Sequence, residues 1–524
     1  MNTALISNHW TNTPPCPDYL TGAEKTTWKY STPDGADRLF RQKIFNRLPS
    51  SLATGLAKSY TERAESQGLA AANRSLLKTT EVLDHSAAIR LHSGFTELKD
   101  YARSKAKACE RYKTRQAMNR ICLNSDIKPP DKRYSDIGAT KRMTDPVWWQ
   151  RRLKKDVLRR FEAVSIHACL VNKRKAPYLS DYTFRQVKEN VRQNRLFLES
   201  IEATNELGDS FTLAELHDKS IGNLTNRCSE LMCRIYGMEK LAKEIGYVAD
   251  FYTLTCPSRM HACVSASGDQ NPKYDGTTPV EAQRYLTKLF SQIRAAYTRR
   301  GLEIFGLRVV EPHHDETPHW HILVFIHPDQ QPILRKLFKG YALKESPDEP
   351  GAQKYRFKYV EIDSSKGSAT GYIIKYISKN IDGHGVDLDS HGNKASEAAE
   401  RIQAWKTTWG IRQFQFFGGP PVGVWRELRR IDYELIGDLE DARQAADAGD
   451  WCSYVKGQGG PFVSRESLRI RTFSKWSDLL GRYGEPIGDQ LLGITNGVIE
   501  IVTRLHEWIF SKRAVDCAPL EYCQ

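Results

Sequence analysis

The chain has 524 residues, with 77 basic and 63 acidic side chains and a formal net charge of +14. Hydrophobic residues make up 40% and charged residues 27%, enough to bury a core and too many apolar groups for global disorder. The length fits about two to four domains, and no apolar run approaches the roughly 18 residues of a membrane span.

The N-terminus, MNTALISNHWTNTPPCPDYL, lacks the basic head and apolar stretch of a signal peptide. Eleven cysteines without a CxxC are too sparse for a disulfide scaffold and read as reduced, mostly buried thiols of a cytoplasmic protein. The charge is concentrated. Residues 101–120 hold seven basic and one acidic side chain, and residues 141–160 hold eight and two, so these stretches carry +12 of the +14. Such density fits a polyanion partner, DNA or RNA, although a solvated helix face explains it equally well.

Residues 1–35 are rich in Pro, Thr and Asn and read as a loose leader. From about 36 to 245 the pattern is mostly helical. Asp145-Pro146 opens a helix in which Leu153, Val157, Phe161 and Val164 form the apolar stripe, with Trp148 and Trp149 as core anchors. Arg151, Arg152, Lys154 and Lys155 fall on its other faces and are the candidate DNA contacts. A helix over 226–244 ends at Gly246. Strand 251–256 follows, then helix 279–300, strands 303–311 and 319–326, helix 331–341, strand 355–362 and helix 368–380. This β-α-β-β-α-β-α order is that of a ferredoxin-like split βαβ sheet with one more helix. Residues 383–403 read as a flexible loop and 404–524 as a mixed accessory region, with a GGPP turn at 418–421.

Two constellations carry chemistry. In PHWHILVF, side chains alternate, so His319 and His321 project from one face two positions apart. Glu311 ends the preceding strand, and the connection 312–318 brings it back alongside as the third ligand, with Asp315, Glu316 and His314 as alternatives. Two imidazoles and a carboxylate leave open positions on a divalent cation such as Mg²⁺ or Mn²⁺. In YIIKYISKN, Tyr372 and Tyr376 stand one helical turn apart, and Lys375 and Lys379 lie three residues after each. Alone, such a pair is packing. Beside a metal, a phenol can attack phosphorus while the lysines stabilise phenolate and the added negative charge. His261, Arg412, Gln413 and Gln415 are weaker candidates for contact with phosphate or DNA.

HWH resembles the histidine-hydrophobic-histidine signature of the HUH endonucleases, FYTLTCPS their first motif and YIIKYISKN their two-tyrosine third motif. From about 145 to 430, the run FYTLTCPSRMHA, NPKYDG, RVVEPHHDETPHWHILVF, YIIKYISKN and WGIRQFQFFGGPPVGVWRELRR strongly resembles the phage replication gene A proteins, rolling-circle initiators of tailed phages and prophages. The resemblance implies an α+β fold with a central ferredoxin- or RRM-like antiparallel sheet, preceded by a mostly helical basic region. It implies a catalytic domain over 246–382 between a DNA-binding region at 36–245 and the C-terminal region. It further implies nicking of origin DNA through a 5′-phosphotyrosyl link, a 3′-OH for the host polymerase, and a second cut and rejoining by the other tyrosine, all in the cytoplasm of a bacterial host. No GxxxxGK[ST] is present, so a host helicase is expected. A two-tyrosine transposase or plasmid initiator would share the chemistry. A zinc hydrolase using His313, His314, His319 and His321, or a non-catalytic RRM-like module, are readings of other classes.

Overall fold

The computed structural model describes residues 40–41, 44–45, 50–84, 95–265, 267–363, 365–381 and 395–513. The expected leader and residues 383–394 of the expected loop lie outside the described residues.

Helices α1 (Ser50–Gln67) and α2 (Leu69–Asp84) meet across Gly68, whose φ of 85° needs a residue without Cβ. They pack on Phe161 and Val164 of α6 (Pro146–His167), while α3 (Phe95–Glu110), α4 (Arg115–Leu123) and α5 (Asp136–Met143) enclose its first half. The Asp145 carboxylate caps α6 by accepting from the Val147 amide, and Pro146 occupies the first turn. Trp148 and Trp149 are buried anchors, as expected, and the Trp149 indole donates to the Met143 carbonyl at 2.7 Å.

After α7 (Asp181–Glu199), the expected mostly helical pattern is interrupted by a hairpin, β1 (Ile201–Asn205) and β2 (Ser210–Thr212). The Asn205 side chain accepts from the Leu207 and Asp209 amides and closes the turn, and Trp508–Lys512 adds a third strand. Helices α8 (Leu213–Lys219) and α9 (Leu224–Glu244) lead to the central sheet.

That sheet has the expected order of elements: β3 (Val248–Leu254), α10 (Pro279–Thr298), β4 (Ile304–Pro312), β5 (Pro318–Ile326), α11 (Gln331–Ala342), β6 (Phe357–Ile362) and α12 (Ala369–Ile381). The spatial order is β6-β3-β5-β4-β7, antiparallel throughout, and β7 is Phe414–Phe417. Tyr252, Trp320, Ile322 and Val324 pack against α10 and α11. Phe251, Phe305, Leu307, Leu323 and Phe325 face the opposite way, onto α9, α12 and the helices α14 (Val422–Leu428), α15 (Asp438–Asp447) and α16 (Trp451–Gly457).

Two boundaries differ from expectation. Residues 395–403, expected as loop, belong to α13 (Ala395–Trp409), because Ala398, Ala399, Ile402, Trp405 and Trp409 repeat at helical spacing and are buried. The sheet also takes its fifth strand, β7, from beyond 382. The C-terminal part adds β8 (Arg471–Leu480), β9 (Pro486–Thr495) and β10 (Glu500–Val502). Their β8–β9 turn reaches back to α5 and α6, where Glu485 pairs with Arg142 at 2.7 Å and Tyr483 donates to Asp145 at 2.8 Å. Among the described residues, no helix is long and apolar enough to cross a membrane.

Candidate active site

Strands β4 and β5 pair with Glu311 directly opposite His319, and His321 lies opposite Thr253 of β3. Register thus puts all four on one face. The Nε2 atoms of His319 and His321 are 2.9 Å apart, and Glu311 Oε2 lies 3.8 and 3.5 Å from them. These three donors lie within 4.8 Å of one another and, among the described residues, form the one group able to hold a metal ion. Two nitrogens and a carboxylate oxygen suit a divalent cation that keeps further positions for water or phosphate oxygens. Burial, followed by the charges of His321 and Lys379, keeps the His319 imidazole well below its usual range. It is therefore neutral, the form that ligates metals. Burial by itself would raise the Glu311 carboxyl. Lys379, His321 and Asn380 outweigh it and hold the group at about 2.

Helix α12 lies over this face. The Glu239 carboxylate of α9 accepts from the Ala369 and Thr370 amides at 3.2 and 2.9 Å, satisfying donors that a helix N-terminus leaves open. Ile373 and Ile377 are buried in the sheet, which leaves Tyr372 and Tyr376 half-buried along the site. The Tyr376 ring lies 4.2 Å from the His321 ring and is stacked on Phe251 at 4.9 Å, while Tyr372 packs edge-on against Phe251 at 4.7 Å. Tyr376 is therefore the inner phenol of the pair. Burial, Tyr372 and Glu311, in that order, push its hydroxyl up to about 12. Lys379 Nζ is 3.4 Å from Glu311 Oε2, and Lys375 is exposed.

The alternatives for the third ligand are led elsewhere. Asp315 accepts from the Thr317 amide and lies 3.2 Å from His261 Nδ1. His314 stacks on Tyr178, and Glu316 accepts from the Trp409 indole at 2.7 Å. His313 lies beside His319 with ring centroids 4.1 Å apart and their planes tilted, but it is not in the metal-competent group. The four candidate DNA contacts on α6 divide. Arg151 and Lys155 are exposed, Arg152 lies 4.2 Å over the Trp148 ring, and Lys154 is partly covered.

A histidine pair on one strand and a tyrosine pair on the facing helix bear comparison with known proteins. Residues 79–384 match the model of the bacteriophage replication gene A protein (GPA) family. The chain belongs to this family. It is 41% identical over 425 residues to the replication gene A protein of Escherichia phage 186, which covers 76% of this chain and 61% of that protein. It is 37% identical over 375 residues to the replication gene A protein of Escherichia phage P2, covering 68% and 49%. A probable replication endonuclease from a prophage-like region of Salmonella paratyphi A is 35% identical over 442 residues, covering 77% and 55%. The chain thus spans about half to three-fifths of the length of these relatives. No solved structure matches it.

In this gene A family member, Asn380 and Thr253 support the site without having stood out in the sequence, and Gln413, expected as a weak DNA contact, is buried behind it. Asn380 donates through Nδ2 to Glu311 Oε1 and to the Tyr376 carbonyl, and its Oδ1 accepts from Gln413 at 3.1 Å. Gln413 in turn lies 3.3 Å from the donating Gln403 amide. On the other side, the Thr253 hydroxyl is 3.2 Å from His321 Nδ1. These are outer partners of the sort that orient metal ligands. Asn380 follows Tyr376 by four residues, so helical spacing carried a signal for it. The positions of Gln413 and Thr253 depend on strand pairing, which one sequence does not disclose.

Proposed function

We propose that this chain is a site-specific, metal-dependent DNA-nicking and strand-joining endonuclease that initiates rolling-circle replication of a phage or prophage genome. The observation that carries the reading is the Tyr376 ring against His321, with Tyr372 one turn away on the same helix. The names of the relatives support replication initiation and endonuclease activity.

A phenol oxygen attacks the scissile phosphorus and forms a 5′-phosphotyrosyl ester. The phenol loses its proton, and the displaced 3′-oxygen takes one up. The ester keeps the energy of the broken bond, so a 3′-OH can later attack it and rejoin the strand without ATP. A divalent cation such as Mg²⁺ or Mn²⁺, held by Glu311, His319 and His321, would supply polarisation of the phosphate and charge neutralisation. Lys375 and Lys379 offer positive charge to phenolate and phosphate. The free 3′-OH primes the host polymerase, a host helicase unwinds the duplex, and the second tyrosine cuts the regenerated origin inside the host cell.

The test is incubation with single-stranded origin DNA and Mn²⁺ or Mg²⁺, followed by a denaturing gel. A slowed protein band that nuclease treatment collapses is the expected result. Cleavage leaving a free 5′-phosphate and no adduct would mark water as the nucleophile and overturn the reading.

A further inference from the structure

Cations from four elements converge on residues 406–414, the end of α13 and the turn into β7. Lys406 and Arg412 belong to that segment. A Cβ added at Gly410 would lie 3.2 Å from Arg159 Nη2 and 3.7 Å from Lys155 Nζ, both on α6. Arg227, near the start of α9, lies 5.8 Å from the Phe414 ring centroid, and the Arg308 guanidinium of β4 donates to the Arg412 carbonyl at 3.2 Å. One of these has a structural task, since Arg159 also donates to the Thr408 and Trp409 carbonyls and closes the end of α13. Among the described residues, the acids beside the cluster are already taken. Glu230 is held by Arg426 at 2.7 Å and Asp156 by Arg160 at 2.6 Å, so none of the six cations is ion-paired. Crowding has a visible cost: burial and then Arg227 push the Lys406 ammonium down to about 8, and burial and then Arg412 push Arg308 down to about 10. Like charges gathered without counter-charges repel, and an anion from outside relieves them.

We propose that this edge of the molecule, outside the group of metal ligands, grips the phosphate backbone of duplex DNA flanking the cut. The proposal rests on the nickase reading for the identity of the polyanion. Guanidinium groups suit phosphate because their paired N–H donors match two of its oxygens. Proteins that hold single strands add aromatic platforms on which bases stack. Here the rings of the segment, Trp409 and Phe414, are buried, while Thr407, Gly410, Arg412 and Gln415 are exposed. The surface therefore meets a backbone and offers nothing to an unpaired base. On α6, Arg151, Lys155 and Arg159 follow at four-residue steps, so one line of that helix leads into the cluster. A duplex lying along this line would be held without regard to sequence, leaving the choice of site to the metal face.

The test measures binding of a blunt duplex of arbitrary sequence and of a short oligothymidylate, each over a range of salt. It compares the wild type, Arg412→Gln, Arg412→Lys and the triple variant Arg227→Gln, Lys406→Gln, Arg412→Gln. Each lost phosphate contact should lower the duplex slope of log affinity against log salt by about one, so by about three in the triple variant. Arg412→Lys keeps the charge and should keep the slope. The change on oligothymidylate should be smaller. An unchanged duplex slope overturns the proposal, and an equal loss on oligothymidylate overturns the duplex assignment and makes the edge a track for single strands. Without DNA, the triple variant should melt no lower than the wild type, because neutralising crowded cations removes repulsion. A lower midpoint with an unchanged slope would make the cluster structural. Arg412 is exposed, so its single variants carry the test if the triple variant fails to fold. Adduct formation by the wild type on single-stranded origin DNA separates the two readings. Adduct with an unchanged slope sinks the duplex grip alone, and a lowered slope without adduct sinks the nickase alone.

Discussion

Asn380 holds Glu311 from the tyrosine helix: its amide donates to the carboxylate one helical turn after Tyr376. The helix that carries both phenols is thereby fastened to the carboxylate of the triad. Asn380→Leu should keep the fold and the phenols but let Glu311 turn. Adduct formation should then need about 10- to 100-fold more Mn²⁺ for half-maximal rate, as for other outer partners of metal ligands. A metal titration of adduct yield reads this directly, and an unchanged half-point would show that Asn380 serves packing only.

The triad itself gives a sharper outcome. His319→Ala and His321→Ala should each abolish adduct formation while retaining most affinity for single-stranded DNA, which comes chiefly from phosphate contacts. Glu311→Gln should raise the metal requirement. Circular dichroism and filter binding on the same preparations separate lost chemistry from lost folding.

The two phenols are not equivalent, because Tyr376 lies against His321 and Tyr372 is farther out against Phe251. Tyr372→Phe and Tyr376→Phe should each retain some adduct on single-stranded DNA, with the larger loss for Tyr376→Phe. Neither should complete the nick, recut and rejoin cycle, and the double variant should form no adduct. Peptide mapping that finds the nucleotide outside these two residues would remove the mechanism.

Charge reversal on α6 should distinguish residues that the sequence treated alike. Arg151→Glu with Lys155→Glu should flatten the salt dependence of duplex binding by roughly one counterion per lost phosphate contact. Arg152→Ala should instead cost about 1 kcal/mol of stability through its lost contact with Trp148. Salt titrations of affinity and urea unfolding of the same variants check both.

Glu316 makes a pH-dependent prediction. Burial first, and then the neighbouring Glu162, push its carboxyl well above the usual range. A carboxyl raised on folding binds its proton more tightly in the native state. Its contribution is therefore fully present below about pH 4.3, its unfolded value, and is lost as pH rises toward the folded value. Glu316→Gln should remove that loss, so its urea midpoint should fall less than that of the wild type between acid and alkaline pH. Parallel curves for the two proteins would contradict the assignment.

The sheet and its histidine face were legible because strand alternation and helix spacing are local properties. Trp148, Trp149 and the stripe from Leu153 to Val164 were readable for the same reason. The hairpin at 201–212 escaped notice because its strands are short and its third partner lies some three hundred residues away at Trp508–Lys512. Helix α13 was hidden by the polar stretch before it, although its buried residues keep helical spacing. Arg152 looked like its neighbours because sequence gives charge, while stacking on Trp148 depends on where the rings settle. Tyr376 could not be ranked above Tyr372 until α12 was laid on β3 and β5.

Strand β7 bears on where the chain can be cut. Its residues pair with Gly306–Val309, and the Gln413 carbonyl accepts from the Val310 amide at 2.8 Å. A fragment stopping just after α12 would keep both histidines and both tyrosines. It would leave β4, buried along its whole length in the intact fold, as a bare rim ready to pair with another copy, and would strip away the Gln413 support behind Asn380. A shortened protein meant to stay monomeric therefore has to run on past Phe417, through the Trp425 and Trp451 packing that covers the same face of the sheet as α12. The smallest soluble unit is set by that hidden rim and not by the last residue of the reactive helix.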